Sequence, residues 1–440
     1  MMVYCPTCGS KIDDEMEFCP NCGEALRDIS EQQDESGARG EKIAYKAGEK
    51  KKEQGLYNIS SQRNEQGYTQ KNFPRKRKNK HASIKKILKG IVLLLLIGGL
   101  ISSGLFLFAP SIDIDEDLSY QHTFSNEANA SEISGQEFNL EVSSTNVYYQ
   151  YNSSPMQSII ELNAQFDFIF QGWGVESLSD VYKVTWENSQ NITEFKIEWK
   201  PKFGSILKDQ SRVNIILRSD VKFSLKGSSS TGKIYFESGK NTLIEQLNLK
   251  VSTGSLNINL KEGTSIKKDF SVDSSTGNVQ IYGDKVSIGG DLRFDMSTGS
   301  LDIEFLNCQL NETIEGEFST GETSLKLVNC TYPNEETWKI DGSTGNLRLN
   351  IIQKVNQISN IQMDIELSTG NIYLNFTGEA GIGAAKFEGD VSTGDLNFHP
   401  NSGFTQTNNL MESLNFGEIP GYYGILEAST GNINVYGQMV

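Results

Sequence analysis

The chain has 440 residues, which is long for one domain, so two or more units are expected. Its net charge of −16 argues against general nucleic-acid binding, because phosphates are neutralised by clustered bases. The average hides four segments: residues 1–30 carry −4, residues 31–83 +6, residues 84–110 +3, and residues 111–440 −21.

The first segment contains Cys5-Pro-Thr-Cys8-Gly and Cys19-Pro-Asn-Cys22-Gly. Each pair forms a tight turn that aims two sulfurs at one point, and Gly9 and Gly23 can take positive φ beside them. Four thiolates satisfy tetrahedral Zn²⁺ and leave no open position for water, so Cys5, Cys8, Cys19 and Cys22 predict a structural zinc site. A disulfide or redox dithiol suits a cytoplasmic segment poorly. The stretch resembles the short zinc ribbons at the N-termini of many prokaryotic membrane proteins, and the predicted unit spans residues 1–28. With six acids against Lys11 and Arg27, it fits protein contact better than nucleic acid. Residues 29–83 have few large apolar side chains and mixed charge, so they read as a disordered linker.

Residues 84–110 contain twenty consecutive uncharged residues, "GIVLLLLIGGLISSGLFLFA" at 90–109. At about 1.5 Å per helical residue they span roughly 30 Å, the thickness of a bilayer's hydrocarbon core. Pro110 ends the predicted transmembrane helix. Arg75, Lys76, Arg77, Lys78, Lys80, Lys85, Lys86 and Lys89 precede it, and Asp113, Asp115, Glu116 and Asp117 come after it. The positive-inside rule places residues 1–89 in the cytoplasm and 111–440 outside, on a single-pass protein of the cell membrane. The basic run is also suited to anionic lipid headgroups.

Residues 118–212 alternate apolar and polar residues without a repeat ("EFNLEV", "NAQFDFIFQ", "TEFKIEW"). They read as an antiparallel β-region, within 111–212, that caps the membrane-facing end of the repetitive segment at 213–440.

From residue 213 to 440 the chain writes Ser-Thr-Gly nine times, with glycines at Gly232, Gly254, Gly277, Gly299, Gly321, Gly345, Gly370, Gly394 and Gly431. The threonines stand 22, 23, 22, 22, 24, 25, 24 and 37 residues apart. A fixed period of this size means stacked units. Period-2 apolar patterns flank each turn, as in Leu247, Leu249, Val251 before and Leu256, Ile258, Leu260 after. Each repeat is therefore a strand, a Ser-Thr-Gly corner, a strand and a return loop. One such coil cannot bury its apolar face alone, so the coils must stack at about 4.8 Å. The predicted fold is all-β: a parallel, right-handed β-solenoid of about nine coils, plus the ribbon and the membrane helix. Glycine supplies a corner conformation that Cβ would forbid, and the Ser and Thr hydroxyls are expected to bond local backbone or the next coil.

The corners "STGNINVYG" (429–437) and "STGDLNF" (392–398) resemble the prokaryotic adhesin-like Ser-Thr-Gly-repeat domains, over about half the chain; "STGETSLKL" (319–327) departs from their pattern by two residues. The resemblance implies a β-solenoid in an extracytoplasmic or surface setting. Related domains in envelope-stress regulators imply a second class of function.

Cys308 and Cys330 each stand ten residues after the threonine of their coil. They should stack on adjacent coils, about 5 Å apart between Cα atoms, which allows a disulfide outside the cell and otherwise leaves two buried thiols. No equivalent of the N-terminal cap covers the far end. Residues 394–429 either fold over it or leave an open end for self-association. The acids read as scattered between coils, as on a solvated face, and His81, His122 and His399 sit near no nucleophile motif, so catalysis is not expected. Three functions remain open: an adhesion or binding module for envelope or surface ligands, an envelope sensor or scaffold working through a cytoplasmic protein partner of the ribbon, and a polysaccharide-acting β-helix enzyme.

Overall fold

The computed structural model describes the backbone of residues 3–4 and 11–12, and residues 109–123, 136–152, 158–189 and 191–440. The chain divides into two units, residues 1–79 and 80–440. In the first, β1 (Val3–Tyr4) and β2 (Lys11–Ile12) pair antiparallel. The linker of residues 29–83 and the apolar run up to residue 108 lie outside the described residues. Among the described residues, no helix is long and apolar enough to cross a membrane.

Among the described residues of the second unit the sequence alternation becomes one sheet of 24 strands. It opens with β3 (Ser111–His122), β4 (Gln136–Ser144), β5 (Asn146–Asn152) and β6 (Ile160–Gly172). The short α1 (Leu178–Val181), β7 (Tyr182–Asn188), β8 (Ile192–Trp199), β9 (Gly204–Asp209) and β10 (Arg212–Arg218) come next. β6 pairs antiparallel with β3 on one side, and with β10 and β9 on the other; β7 and β8 are also antiparallel. These pairings are antiparallel, but the parallel stack runs into the same residues: β10 pairs parallel with β5, and β8 with β4. β4 and β5 pair in parallel with the two halves of β11 (Phe223–Glu237), so residues 136–152 belong to the parallel stack. Ser143-Ser144-Thr145 takes the place of a Ser-Thr-Gly corner there, with Ser144 opposite Thr231. Without a glycine it leaves no repeat signature in the sequence.

The stack continues through β12 (Leu243–Leu260), β13 (Ser265–Ile266), β14 (Phe270–Asp284), β15 (Ser287–Ile288), β16 (Leu292–Leu306), β17 (Gln309–Leu310), β18 (Ile314–Val328), β19 (Glu336–Gln353) and β20 (Ile361–Gly378). The long strands pair parallel and in register, with Thr253 opposite Thr276, Thr276 opposite Thr298 and Thr298 opposite Thr320. Alternate residues point inward, so Leu256, Val279, Leu301, Thr323 and Leu347 form one buried column, apolar at every step but Thr323. Burying such a side chain contributes roughly 1.5–3 kcal/mol, which is why the apolar pattern, repeated, selects this stack.

Chain order and stacking order part company at the far end. β21 (Ala385–Thr393) and β22 (Leu396–Pro400) carry the eighth corner; β23 (Phe404–Thr407) and β24 (Leu410–Ser413) form a hairpin; β25 (Tyr422–Thr430) and β26 (Ile433–Met439) carry the ninth. β25 and β26 pair with β20 on one side and with β21 and β22 on the other. The ninth corner is thus inserted between the seventh and the eighth. The long connection of residues 394–429 makes this reach possible, and of the two expectations for it the structure takes the first, in which it folds over the far end. β24 pairs antiparallel with β21 and covers that edge, burying Phe404 and Met411. β22 is short and ends at Pro400, which lacks an N–H to offer another strand.

Candidate functional site

The corners are built from the backbone outward. Their glycines have φ between +131° (Gly299) and +145° (Gly277), where L side chains are strained. A Cβ on Gly254 would run into the carbonyl of Gly232, and one on Gly277 into that of Gly254. The same holds up through Gly299, Gly321, Gly345 and Gly370, then Gly431 against Gly370 and Gly394 against Gly431. Gly232 faces the carbonyl of Thr145. Close backbone approach, as well as the dihedral, therefore calls for glycine.

The corner Thr side chains are exposed and make no side-chain hydrogen bond among the described residues, which differs from the expected hydroxyl ladder. The residue after the corner glycine makes the links instead. Asn346 Oδ1 accepts from the Asn371 amide side chain (2.9 Å) and backbone N–H (3.2 Å). Asn371 Oδ1 in turn accepts from the Asn432 N–H at 3.0 Å, and Asn432 Oδ1 from the Asp395 N–H at 2.9 Å. These bonds track the rearranged stacking order and tie the inserted corner on both sides.

Two residues before the corner serine stands a carboxylate at seven of the nine corners, the first two having Ser228 and Lys250 there. Asp273, Asp295, Glu317, Asp341, Glu366, Glu427 and Asp390 are neighbours in register on successive strands. This corrects the reading of scattered acids: the acids form a column, and their constant offset from Ser-Thr-Gly was the signal available in the sequence. Strand spacing sets neighbouring Cα atoms about 4.8 Å apart. Lys250 pairs with Asp273 at 3.5 Å and Lys339 with Asp341 at 3.1 Å. Together with the corner serines, the column from Asp295 to Asp390 lines an open groove of about 390 Å³. Such a groove attracts cationic groups and repels anionic ones.

Cys308 and Cys330 lie where their spacing predicts, on adjacent steps of the stack, each 1% exposed, and both are free thiols. Cys308 Sγ donates to Gly283 O at 3.4 Å, and Cys330 Sγ to Phe305 O at 3.5 Å. A hydrogen bond from Cys330 draws the Cys308 thiol down, while burial pushes the Cys330 thiol well up. Burial thus keeps the Cys330 thiol protonated, and Cys308 has the greater thiolate character of the two.

Glu336, at the start of β19, carries no motif that would single it out in the sequence. It is only 5% exposed, and its Oε1 has no hydrogen-bond partner. Burial, with the nearby Glu312 and Asp291 carboxylates adding to it, pushes its carboxyl up to about 7. His122 is also buried, its Nδ1 2.6 Å from Thr193 Oγ1, and burial lowers it.

Cys5, Cys8, Cys19 and Cys22 lie outside the described residues. Among the described residues, no group of three or more His, Cys, Asp or Glu could hold a metal ion.

The class these features define is an all-β protein of parallel strands turned at glycine corners, with a cysteine-rich N-terminal unit. Residues 1–26 match the model of a zinc-ribbon domain, over the stretch that carries the two Cys-x-x-Cys pairs. No curated protein matches the sequence significantly. Among solved structures, the chain is similar to a candidate cell adhesion protein from Clostridium sporogenes, with 12% identity over 73% of this chain and 99% of that one, at a TM-score of 0.19. A candidate adhesin from Parabacteroides distasonis gives 9% identity over 72% and 97%, at a TM-score of 0.35. One from Parabacteroides merdae gives 12% over 72% and 96%, at 0.26.

Proposed function

We propose that the chain is a single-pass membrane protein that displays residues 111–440 outside the cell as a right-handed β-solenoid of about nine Ser-Thr-Gly coils, and that the solenoid binds or adheres to envelope or surface components. Residues 90–109 anchor it, with the N-terminus in the cytoplasm. The observation that carries the binding role is the face at the corners. There the same residue types recur in register from Asp295 to Asp390, which suits an extended or repeating partner better than one small molecule. Outside the cell, Cys308 and Cys330 can be stapled by thiol–disulfide exchange, losing two protons and passing two electrons to a disulfide oxidant.

The test is binding of labelled residues 111–440 to intact cells and isolated envelope fractions. Saturable binding that unlabelled protein competes away is expected, together with its loss in a Glu317→Gln/Asp341→Asn/Glu366→Gln variant of unchanged thermal stability. Absence of saturable binding would sink the adhesion reading.

The zinc-ribbon match favours a second reading, in which the chain is an envelope sensor or scaffold. Cys5, Cys8, Cys19 and Cys22 then hold Zn²⁺ structurally, and the folded ribbon meets a cytoplasmic protein. Cys5→Ser/Cys8→Ser would abolish signalling and leave surface binding intact; a variant that loses neither removes this reading.

A further inference from the structure

The edge where β3 begins gathers features that the binding face does not use. Ser111, the first residue of β3, pairs with Gln171 of β6, and the pairing is antiparallel. Extending that register by two residues sets Trp173 level with Ala109, the last residue of the apolar run. The backbone supports this: Gly172 N–H donates to Pro110 O at 3.1 Å, and the Gln171 side chain donates to Ala109 O at 3.4 Å. On its other side β6 meets β9, with Gly172 opposite Gly204, so Phe203 stands opposite Trp173. Trp173 N–H donates to Phe203 O at 3.4 Å. Ala109, Trp173 and Phe203 therefore share one row at the lip of the sheet.

Trp173 is 50% exposed and Phe203 62% exposed, although most large apolar side chains among the described residues are buried. Gly172 and Gly204 hold the two strands together here, since a Cβ on Gly204 would meet Gln171 O and one on Gly172 would meet Phe203 O. The aromatic pair is thus fixed in position by its strands. The nearby cations are engaged within the domain: Lys200 Nζ donates to Ser179 O at 2.6 Å, and Lys202 lies 3.8 Å from Asp180. Aromatic rings at the level of a membrane segment's end occupy the zone between headgroups and acyl chains, where Trp is enriched.

We infer that Trp173 and Phe203 dip into the outer membrane–water interface and seat the β-domain on the lipid surface beside its own anchor. This rests on the anchoring reading of residues 90–109. The contact is apolar, so it does not depend on anionic lipid.

The experiment uses the full chain reconstituted in phosphatidylcholine vesicles, with and without lipids brominated near the headgroup, and reads tryptophan fluorescence. The expected result is quenching by brominated lipid that is lost in Trp173→Phe and unchanged when anionic lipid is added. Phe203→Trp should add a second quenchable emitter. Alkaline carbonate extraction of the same vesicles separates the two ideas. A chain that resists extraction but shows no quenching, or equal quenching in Trp173→Phe, overturns the seating and leaves the anchor standing. A chain released by carbonate overturns both.

Discussion

At the scale of single residues, glycine and glutamate carry opposite lessons. Gly299 sits at φ +131° with the Gly277 carbonyl in the place of its missing Cβ, whereas Gly417, at φ +85°, has open space around that position. Gly299→Ala must therefore both strain the dihedral and push two strands apart. It should cost at least ~3 kcal/mol, against ~1 kcal/mol for Gly417→Ala. Urea unfolding of the two variants checks this, and equal costs would show that close approach contributes nothing. Glu336 is buried beside two other carboxyls, and its carboxyl is raised from 4.5 to about 7. The folded state thus holds this proton more tightly than the unfolded chain does. Its stabilising effect is complete below pH 4.5, declines as pH rises, and is gone above about 7. The linkage is worth at most on the order of 3 kcal/mol. Glu336→Gln should match the parent protein in thermal unfolding at pH 4 and unfold at higher temperature at pH 8. Parallel curves at both pH values would exclude the effect.

At the scale of elements, the two ends of the stack are where structure adds most to the sequence. Parallel strands leave backbone donors and acceptors open at each end, and the protein closes them with antiparallel pieces: β6 against β10 and β7 against β8 near the start, β24 at the finish. The hairpin of β23 and β24 has only Phe404 and Met411 as buried apolar anchors, on eight strand residues. Replacing residues 401–416 with a short Gly-Ser linker should free the β21 edge for pairing between copies. Sedimentation should then show concentration-dependent growth in mass relative to the intact protein. If the mass stays the same, the hairpin does not protect that edge. The Ser143-Ser144-Thr145 corner was not legible in the sequence because glycine, the marker of every other corner, is missing from it. The carboxylate column was legible in principle, since its offset from Ser-Thr-Gly is constant. Without the register, however, acids 22–37 residues apart in sequence look scattered.

At the scale of the whole molecule, the chain separates into units 1–79 and 80–440, and the buried core of the second is made from its own strands. Zinc removal should consequently act on one unit only. Chelation of the full chain is expected to abolish metal binding by Cys5, Cys8, Cys19 and Cys22 while leaving the main calorimetric unfolding transition in place. A shift of that transition by several degrees would mean that the units are energetically coupled. The charge separation has the same logic: the −21 of residues 111–440 is carried by a surface suited to water and cationic partners, and the basic flank lies before the apolar run.

The sequence by itself determined the repeat, its period, the inward and outward faces of each strand, and the nine positions where only glycine fits. All of these are local consequences of period-2 burial and of the space a Cβ needs. Tertiary structure alone decided the order in which the corners stack. Any corner presents the same backbone edge and nearly the same apolar row, so the repeats are interchangeable as partners. What chooses among them is loop reach and end closure: the 37-residue spacing lets the last corner slip beneath the eighth and leaves β23 and β24 to seal β21.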